Sequence, residues 1–280
     1  MILPYLRYLL VATTRYRVHS PFVFEWASYA LDDRRFFYAF DEIEYIRTSF
    51  LEDDNLVEVV DLGAGSRAMP AAERRKISDI ARTALSPASQ CEVLFKTINW
   101  LQPQTMLEIG TSLGISTLYQ NAAAMSAQLV TLEGSPAVAG AARRGFLRFE
   151  QFRLGRTGGR AKPIQQLEGD FAQTLPLALA GMTQLDYVFF DGNHRYEPTM
   201  HYFKLCLEKA HAGSVFVVDD IHWSGEMEQA WREIQQHPSV RVTIDVFHFG
   251  LVFFRAEQRE VEHFVLIPSR RKPWLSFPQF

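Results

Sequence analysis

The sequence is poor in cysteine and carries no surplus of basic residues. Of its 280 residues only Cys91 and Cys206 are cysteines, too few and too far apart for a disulfide framework or a cysteine-based zinc site. Both lie in helix-like stretches, where buried thiols in a reducing compartment are expected. Lys and Arg together number 29 against 32 Asp and Glu. Nucleic-acid-binding proteins normally show a basic surplus, so we expect no nucleic-acid partner.

Long hydrophobic runs are also missing. In the first 22 residues the longest apolar run, after Arg7, is about six residues. A secretory core needs roughly 7–15 apolar residues and a membrane span about 20. The apolar side chains instead follow helical spacing at Ile2, Leu3, Leu6, Leu9 and Leu10. The pattern predicts an amphipathic helix packed on the protein. We therefore expect a cytoplasmic protein without stable membrane insertion.

The sequence divides into a helical part and an alternating part. Residues 1–104 read as a helical extension, with helices predicted from Ser20-Pro21 to Leu31, over 71–85 and over 89–101. From Thr105 short apolar runs alternate with helical stretches, which predicts a parallel sheet with helices on both faces. Two consecutive strands, 240–247 and 250–256, predict a final antiparallel hairpin.

The predicted fold class is thus α/β, a doubly wound and mostly parallel seven-stranded sheet with that hairpin, plus the N-terminal helical extension. The predicted domains are the extension (1–104), the α/β domain (105–256) and a C-terminal tail (257–280). The Gly/Arg-rich stretch 153–163 is expected to be a loop, and the basic cluster 270–272 is expected to be solvated.

Two segments place a glycine turn between an apolar run and a helix, "DLGAGS" (61–66) and "EIGTSLG" (108–114). A nucleotide-binding fold needs a second strand, about 20 residues further on, whose final acid holds the ribose hydroxyls. Only the second segment meets this requirement, because "LVTLEG" places Glu133 23 residues after Gly110. The first segment is therefore interpreted as a structural turn, with a lid loop near the site as the alternative.

The second loop does not match the usual phosphate-binding patterns. Gly110 and Gly114 are separated by three residues, with Ser112 where a dinucleotide loop would have its second glycine. No Gly-Lys-Ser/Thr follows, so the loop is not a P-loop. Glu108 would repel phosphate at this position but suits a cation. S-adenosylmethionine carries two cationic groups, an ammonium and a sulfonium.

The same loop also matches Gly-x-Ser-x-Gly, the nucleophile elbow of α/β-hydrolases. Ser112, Asp191 and then His222 or His248 supply the required chain order. However, the loop follows the first convincing strand rather than a later one, and no His-Gly-Gly segment precedes it. These two features count against a hydrolase, so a serine hydrolase that uses Ser112 is kept only as an alternative.

Five ordered motifs between Ser89 and Ala256 carry a family resemblance: "MLEIGTSLGIST", "VTLEGSP", "LEGD", "DYVFFDGNHRYEP" and "VFVVDDIHW". The chain resembles class I S-adenosylmethionine-dependent methyltransferases, and more narrowly the catechol and caffeoyl-CoA O-methyltransferase group. Its N-terminal part resembles an extension in uncharacterised bacterial methyltransferases. The resemblance implies a Rossmann-like fold and methylation of a hydroxyl on a small-molecule acceptor. A catalytically silent methyltransferase-like binding protein is the second alternative.

The resemblance implies six cofactor-binding positions. Glu108, Gly110 and Gly114 shape the methionine pocket, and Ser116 binds the methionine carboxylate. Glu133 accepts hydrogen bonds from both ribose hydroxyls, and Asp170 contacts adenine.

Three acids mark the expected chemical end of the site. Asp191 ends one strong strand, and Asp219 and Asp220 end the next. The ends of neighbouring parallel strands meet at one sheet edge, and converging carboxylates suit Mg²⁺, or another divalent cation such as Ca²⁺ or Mn²⁺. The metal-dependent O-methyltransferases have Asp, Asp and Asn at the matching positions, so Asp220 departs from the pattern.

His194 stands where the catechol enzymes have a catalytic lysine. Histidine titrates near neutral pH and can act as a general base. The alternatives are that it ligates the metal or only contacts substrate. Asp191 and His194 are thus the predicted catalytic residues. The helical extension is compatible with a homodimer or with a cap over the substrate.

Overall fold

The computed structural model describes residues 2–59, 74–157 and 162–275, and of residues 156 and 157 it describes the backbone alone. The "DLGAGS" loop therefore lies outside the described residues. The chain forms two compact units. We call Phe36–Asn193 the continuous unit and Met1–Arg35 with His194–Phe280 the split unit.

Helices and strands follow one another through most of the described residues. The helices are α1 (Ile2–Val11), α2 (Pro21–Trp26), α3 (Tyr38–Leu51), α4 (Ile77–Ala84), α5 (Ala88–Leu101), α6 (Ile115–Ala123), α7 (Pro136–Thr157), α8 (Phe171–Ala180), α9 (Tyr196–Leu207) and α10 (Gly225–Gln235). The strands are β1 (Leu56–Glu58), β2 (Arg74–Lys76), β3 (Thr105–Ile109), β4 (Gln128–Glu133), β5 (Gln165–Glu168), β6 (Leu185–Phe190), β7 (Ala210–Asp219), β8 (Val242–Asp245), β9 (Phe249–Phe253) and β10 (Glu262–Val265).

In the continuous unit four parallel strands pair in the order β6, β3, β4, β5. Strands β3 and β6 are mainly apolar and almost wholly buried, as is typical of parallel strands covered by helices on both faces. Each parallel connection contains a helix, because parallel neighbours need a crossover. The alternation of strand and helix from Thr105 onward is thus confirmed.

The predicted extension is mainly helical in the described residues, with one exception. The helix expected over 71–85 begins only at Ile77, since Arg74–Lys76 forms an antiparallel ladder with Leu56–Glu58. Helix α3 contacts α6 and α7, and Tyr119 donates a 3.0 Å hydrogen bond to Glu44. These contacts cross residue 104, and the predicted domain boundaries stay a prediction.

The loop expected over 153–163 is wrong in its first part, because α7 continues to Thr157. Arg153 is buried on this helix and pairs with Glu150 one turn earlier. Such i, i+3 pairs stabilise a helix, and the arginine's aliphatic stem can be buried against neighbouring apolar groups.

In the split unit four strands pair in the order β10, β8, β9, β7. β8 and β9 form the predicted antiparallel hairpin, and β9 also runs antiparallel to β7. β10 pairs with β8 in parallel, from Glu262 with Val242 to Val265 with Asp245. The predicted tail therefore contains a strand. With β10 included, the two groups of four strands number eight among the described residues, rather than the seven predicted.

The two ends of the chain pack against each other within the split unit. Lys272 is buried, and its ammonium donates to the carbonyl oxygens of Leu9 and Ala12, which supplies donors at the carboxyl end of α1 that the helix itself lacks. The hydroxyl of Tyr8 donates to the carbonyl of Leu266. The expectation that 270–272 is fully solvated is wrong for Lys272.

Among the helices of the described residues, none combines the length and the apolar character needed to span a lipid bilayer.

Candidate active site

Backbone hydrogen bonds join the loops after β3 and β5 to the carboxyl end of β4, the strand between them. Gly110, directly after β3, donates its N–H to the carbonyl of Leu132 in β4 at 3.0 Å. Gly169, directly after β5, donates to the carbonyl of Glu133 at 2.9 Å. The loops after three neighbouring parallel strands thus form one edge, which is where ligands bind in open α/β sheets.

Gly110 is required by a close backbone approach. Its φ of +103° lies in the left-handed region, and a Cβ on it would lie 2.4 Å from the carbonyl oxygen of Asp191. The Asp191 N–H in turn donates to the carbonyl of Ile109 at 2.8 Å. The glycine loop and the start of the loop after β6 are therefore packed backbone to backbone.

The carboxylate of Glu133 lies at this edge, at the end of β4. Its Oε2 accepts the N–H of Ser112 at 2.8 Å and its Oε1 accepts the N–H of Ser135 at 2.9 Å. Ser112 has a φ of +49°, which is uncommon for a residue with a side chain. Burial raises the pKa of Glu133, and the backbone N–H groups oppose that rise. Glu133 therefore connects the glycine loop to the loop after β4.

Glu108 is enclosed by side chains of the continuous unit, and its part in the methionine pocket stays a prediction. It is fully buried, and its carboxyl group accepts hydrogen bonds from four side chains: Ser116 at 2.7 Å, Thr117, Gln120 at 2.5 Å and Thr131 at 2.7 Å. Burial raises the pKa of Glu108 to about 7, and these donors limit the rise. These hydrogen bonds fix the first turn of α6 against β3 and β4.

The other predicted cofactor residues have defined surroundings. The hydroxyl of Ser116 points to Glu108, so binding of a methionine carboxylate there stays a prediction. Gly114 has a φ of +79°, and a Cβ on it would lie 2.4 Å from the ring of Phe146 on α7. Asp170 is exposed and caps α8 by accepting the N–H of Ala172 at 2.9 Å.

In the split unit, Asp219 and Asp220 follow each other at the end of β7. Asp219 is buried. Asp220 has a φ of +53° and donates its N–H to the carbonyl of His248 at 2.7 Å. Burial raises the pKa of the Asp220 carboxyl, whereas His194 and His248 oppose this.

His194 has its Nδ1 atom 4.0 Å from Oδ2 of Asp220. Burial lowers the pKa of His194, and the nearby Asp220 opposes that change. A lowered pKa keeps the imidazole neutral near pH 7, which is the state that a general base needs.

His222 is directed at carboxylates of its own unit. Its Nε2 lies 2.8 Å from Asp245 and its Nδ1 lies 3.6 Å from Glu228, while its ring stacks on Phe247. Burial lowers the pKa of His222, but the hydrogen bond and charge of Asp245 outweigh it and raise the pKa overall. This arrangement does not favour His222 as the base of a hydrolase that uses Ser112.

The three predicted metal ligands belong to different units, Asp191 to the continuous unit and Asp219 and Asp220 to the split unit. Within the part of the chain that the structure describes, no group of three or more His, Cys, Asp or Glu side chains is arranged to hold a metal ion.

Asn193 is a candidate that sequence reasoning missed. It follows Asp191 by two residues and has a φ of +52°. Its Oδ1 atom is buried and meets no hydrogen-bond donor among the described residues. A buried polar atom of this kind needs a partner, which makes Asn193 a candidate ligand contact. The only signal in the sequence was its position inside "DGNH".

Comparison with known proteins agrees with this geometry. Residues 107–221 match the family described as Methyltransferase domain. Cofactor-bound Rv0187 from MTB is 25% identical, covering 61% of this chain and 82% of its own with a TM-score of 0.51. None of the curated protein sequences gives a significant match.

Two further structures show the same fold. The O-methyltransferase from Bacillus cereus in complex with SAH is 16% identical, covering 82% of this chain and 96% of its own, with a TM-score of 0.52. TomG, an O-methyltransferase from Streptomyces achromogenes in complex with SAM, is 17% identical, covering 83% and 95%, with a TM-score of 0.54.

A parallel sheet, a glycine loop after its strand β3 and an acid closing the next strand define the class I methyltransferase fold. Residues 107–221, which match the methyltransferase domain family, include the glycine loop, Glu133 and the strand-end acids Asp191, Asp219 and Asp220. The fold and this match support an S-adenosylmethionine-dependent methyltransferase.

Replacement of Gly114 by alanine should destabilise the protein. The left-handed φ and the contact with Phe146 together cost about 3 kcal/mol in the free energy of unfolding. The matched control is Gly155→Ala on α7, where a Cβ meets nothing within 4 Å and alanine should stabilise the helix by about 0.5–1 kcal/mol. Urea unfolding measures both, and equal stability of the two variants would contradict the packing argument.

The buried carboxyl of Glu108 should make stability depend on pH. Its pKa is about 7 in the folded chain against an ordinary value of 4.5, so the folded state holds its proton more tightly. The resulting stabilisation is present below pH 4.5 and is lost as the pH rises to 7, a total of about 3 kcal/mol. Glu108→Gln should lack this loss.

The measurement is the difference in free energy of unfolding between wild type and Glu108→Gln at pH 5 and pH 8. The control is Glu257→Gln, because the Glu257 side chain is 74% exposed and its neutralisation should leave the profile unchanged. Parallel pH profiles for wild type and Glu108→Gln would disprove the assignment.

Proposed function

We propose that the chain transfers the methyl group of S-adenosylmethionine to a hydroxyl oxygen of a small-molecule acceptor. The observation that carries the proposal is the carboxylate of Glu133, held by the N–H groups of Ser112 and Ser135 beside the glycine loop. Two O-methyltransferases of the same fold are described in complex with SAH and SAM, which supports this choice of cofactor and reaction.

The donors and acceptors of the continuous unit fit such a cofactor. A carboxylate offers about four lone-pair positions, so Glu133 can accept two ribose hydroxyls besides its two backbone N–H groups. Asp170 lies in the neighbouring loop, which is bonded to Glu133 through the N–H of Gly169, and it is exposed. Gly110 and Gly114 shape the loop between these acids and α6, with Glu108 and Ser116 beneath it.

When bound, S-adenosylmethionine would supply a methyl group carried on a sulfonium. Loss of the methyl group would leave the sulfur as a neutral thioether. The acceptor oxygen forms a bond to the methyl carbon as the carbon–sulfur bond breaks, and the hydroxyl proton must leave the oxygen. We assign that proton to His194, whose imidazole is kept neutral by burial. Asp220, at 4.0 Å, stabilises the imidazolium that forms.

Loss of the Glu133 charge should weaken cofactor binding. Hydrogen bonds to a charged group contribute about 1.5–3 kcal/mol, so Glu133→Gln should raise the Kd of S-adenosylhomocysteine at least about tenfold. Isothermal titration calorimetry measures this, with the exposed Glu257→Gln as control. Absence of binding to folded wild type would overturn the methyltransferase proposal and favour the serine hydrolase that uses Ser112.

His194→Ala should lower kcat by about 10²–10⁴ at pH 7, the range of general-base catalysis, while the Kd of S-adenosylhomocysteine stays unchanged. The measurement is S-adenosylhomocysteine release with catechols, phenols and other hydroxyl compounds as acceptors. The control is His201→Ala, an exposed histidine on α9. Cofactor binding by wild type without turnover on any acceptor would favour the silent binding protein.

Metal assistance by Asp191, Asp219 and Asp220 is a separate proposal. Their positions at the ends of β6 and β7 and the match of this segment to the methyltransferase family support it. The described side chains do not form a ready metal cluster, so we route no step of the reaction through a cation.

Calorimetric titration of Mg²⁺ into wild type and Asp219→Asn tests the metal proposal without an acceptor. If the proposal holds, wild type binds Mg²⁺, the variant binds at least about tenfold more weakly, and EDTA lowers turnover. Full turnover in EDTA would rule it out. Homodimerisation and a bacterial, cytoplasmic setting stay predictions.

A further inference from the structure

Helix α1 exposes an apolar face, which is unusual for a helix at a protein surface. Tyr8 and Ala12 are buried, and Tyr5 and Leu9 pack beside them against Phe247 and Ile267. The opposite face is apolar as well: Ile2 is 81% exposed, Leu3 59%, Leu6 51%, Leu10 84% and Val11 67%. A surface helix normally turns charged and polar residues outward. Only Arg7 does so here.

The exposed leucines form one stripe. Positions 3, 6 and 10 recur at the i, i+3, i+7 spacing of a single helix face, opposite the anchored positions 5, 8 and 12. Scattered apolar residues on a surface are ordinary, but a contiguous exposed patch marks an interaction site. We call this stripe, together with Trp274, the α1 surface.

Trp274 lies on a segment near the carboxyl end of α1. The segment that carries it is bound there, because Lys272 donates to the carbonyls of Leu9 and Ala12 and Thr14 donates to the carbonyl of Leu275 at 3.0 Å. The Trp274 side chain is 67% exposed. Tryptophan is enriched where a protein meets the lipid–water boundary.

Basic residues predominate around the α1 surface, where Asp32 accepts hydrogen bonds from Ser269 and pairs with Arg15. No acid occurs before Glu25 and none follows Glu262. Arg7, Arg270 and Arg271 are exposed, and the Arg271 guanidinium lies 3.4 Å from the hydroxyl of Tyr5 on α1. An apolar stripe flanked by arginines is complementary to an anionic lipid surface, into which such a helix lies flat.

A second copy of the chain fits this surface less well. In a two-fold dimer the same patch faces itself, so the exposed arginines of both copies would be brought into one interface. Like charges placed together across an interface are unfavourable. An anionic membrane removes that repulsion and covers the leucines with lipid.

We propose that the α1 surface, formed by Leu3, Leu6, Leu10 and Trp274 with Arg7, Arg270 and Arg271, binds peripherally to anionic lipid bilayers. The helix lies in the interface without spanning the bilayer. This binding is independent of the methyl transfer proposed above.

The test is co-sedimentation of the full chain with vesicles of equal parts phosphatidylglycerol and phosphatidylcholine, and with phosphatidylcholine alone. We expect binding to the anionic vesicles only. Leu6→Gln/Leu10→Gln should raise the lipid concentration for half binding at least about tenfold. Leu147→Gln/Leu177→Gln is the matched control, because both leucines are 67% exposed on other helices, and it should bind as wild type does.

Charge is tested with Arg7→Gln/Arg270→Gln, which should weaken binding by about tenfold or more, since each arginine near the surface contributes roughly fivefold. Thermal melting checks that every variant is folded. Equal binding to neutral vesicles, or no binding to anionic ones, overturns the proposal. A dimer that light scattering detects in wild type and not in Leu6→Gln/Leu10→Gln, without vesicle binding, would assign the surface to a second copy.

Discussion

The buried carboxyl group of Glu108 is the constraint on which the geometry of the glycine loop depends. It sits in β3, one residue before the strand ends, and receives donors from the first turn of α6 and from Thr131 of β4. A buried carboxyl is costly unless hydrogen-bonded, so these side chains must all point inward together. Their positions fix the loop between Glu108 and Ser116, and that loop carries the N–H of Ser112 to Glu133.

Most of the fold was predictable because its signals are local. Apolar runs alternating with helical periodicity gave the parallel strands and their crossovers from Thr105 onward. The errors lie where a distant partner decides. Arg74–Lys76 is a strand because Leu56–Glu58 pairs with it, and Glu262–Val265 is a strand because the edge of β8 accepts it. Neither segment has an apolar alternation of its own.

The candidate site divides in the same way. Acids that end strands, such as Glu133 and Asp219, could be placed from the sequence because a strand end is a local feature. The partners of these groups could not. Ser116 turns to Glu108 eight residues away, and His222 finds Asp245 across 23 residues. Such contacts follow from packing of whole elements, which the local pattern does not encode.

The pair formed by His194 and Asp220 bears on how much a metal would have to contribute. Ionising a phenol with a pKa near 10 at neutral pH costs roughly 4 kcal/mol. A neutral imidazole that takes the proton as the methyl group arrives avoids forming the free phenolate. The Asp220 carboxyl at 4.0 Å then offsets the charge of the imidazolium. Because Asp220 cannot serve a cation and the imidazolium equally, stronger metal binding would weaken this counter-charge. The two proposals for Asp220 are therefore competing, and the metal titration discriminates between them.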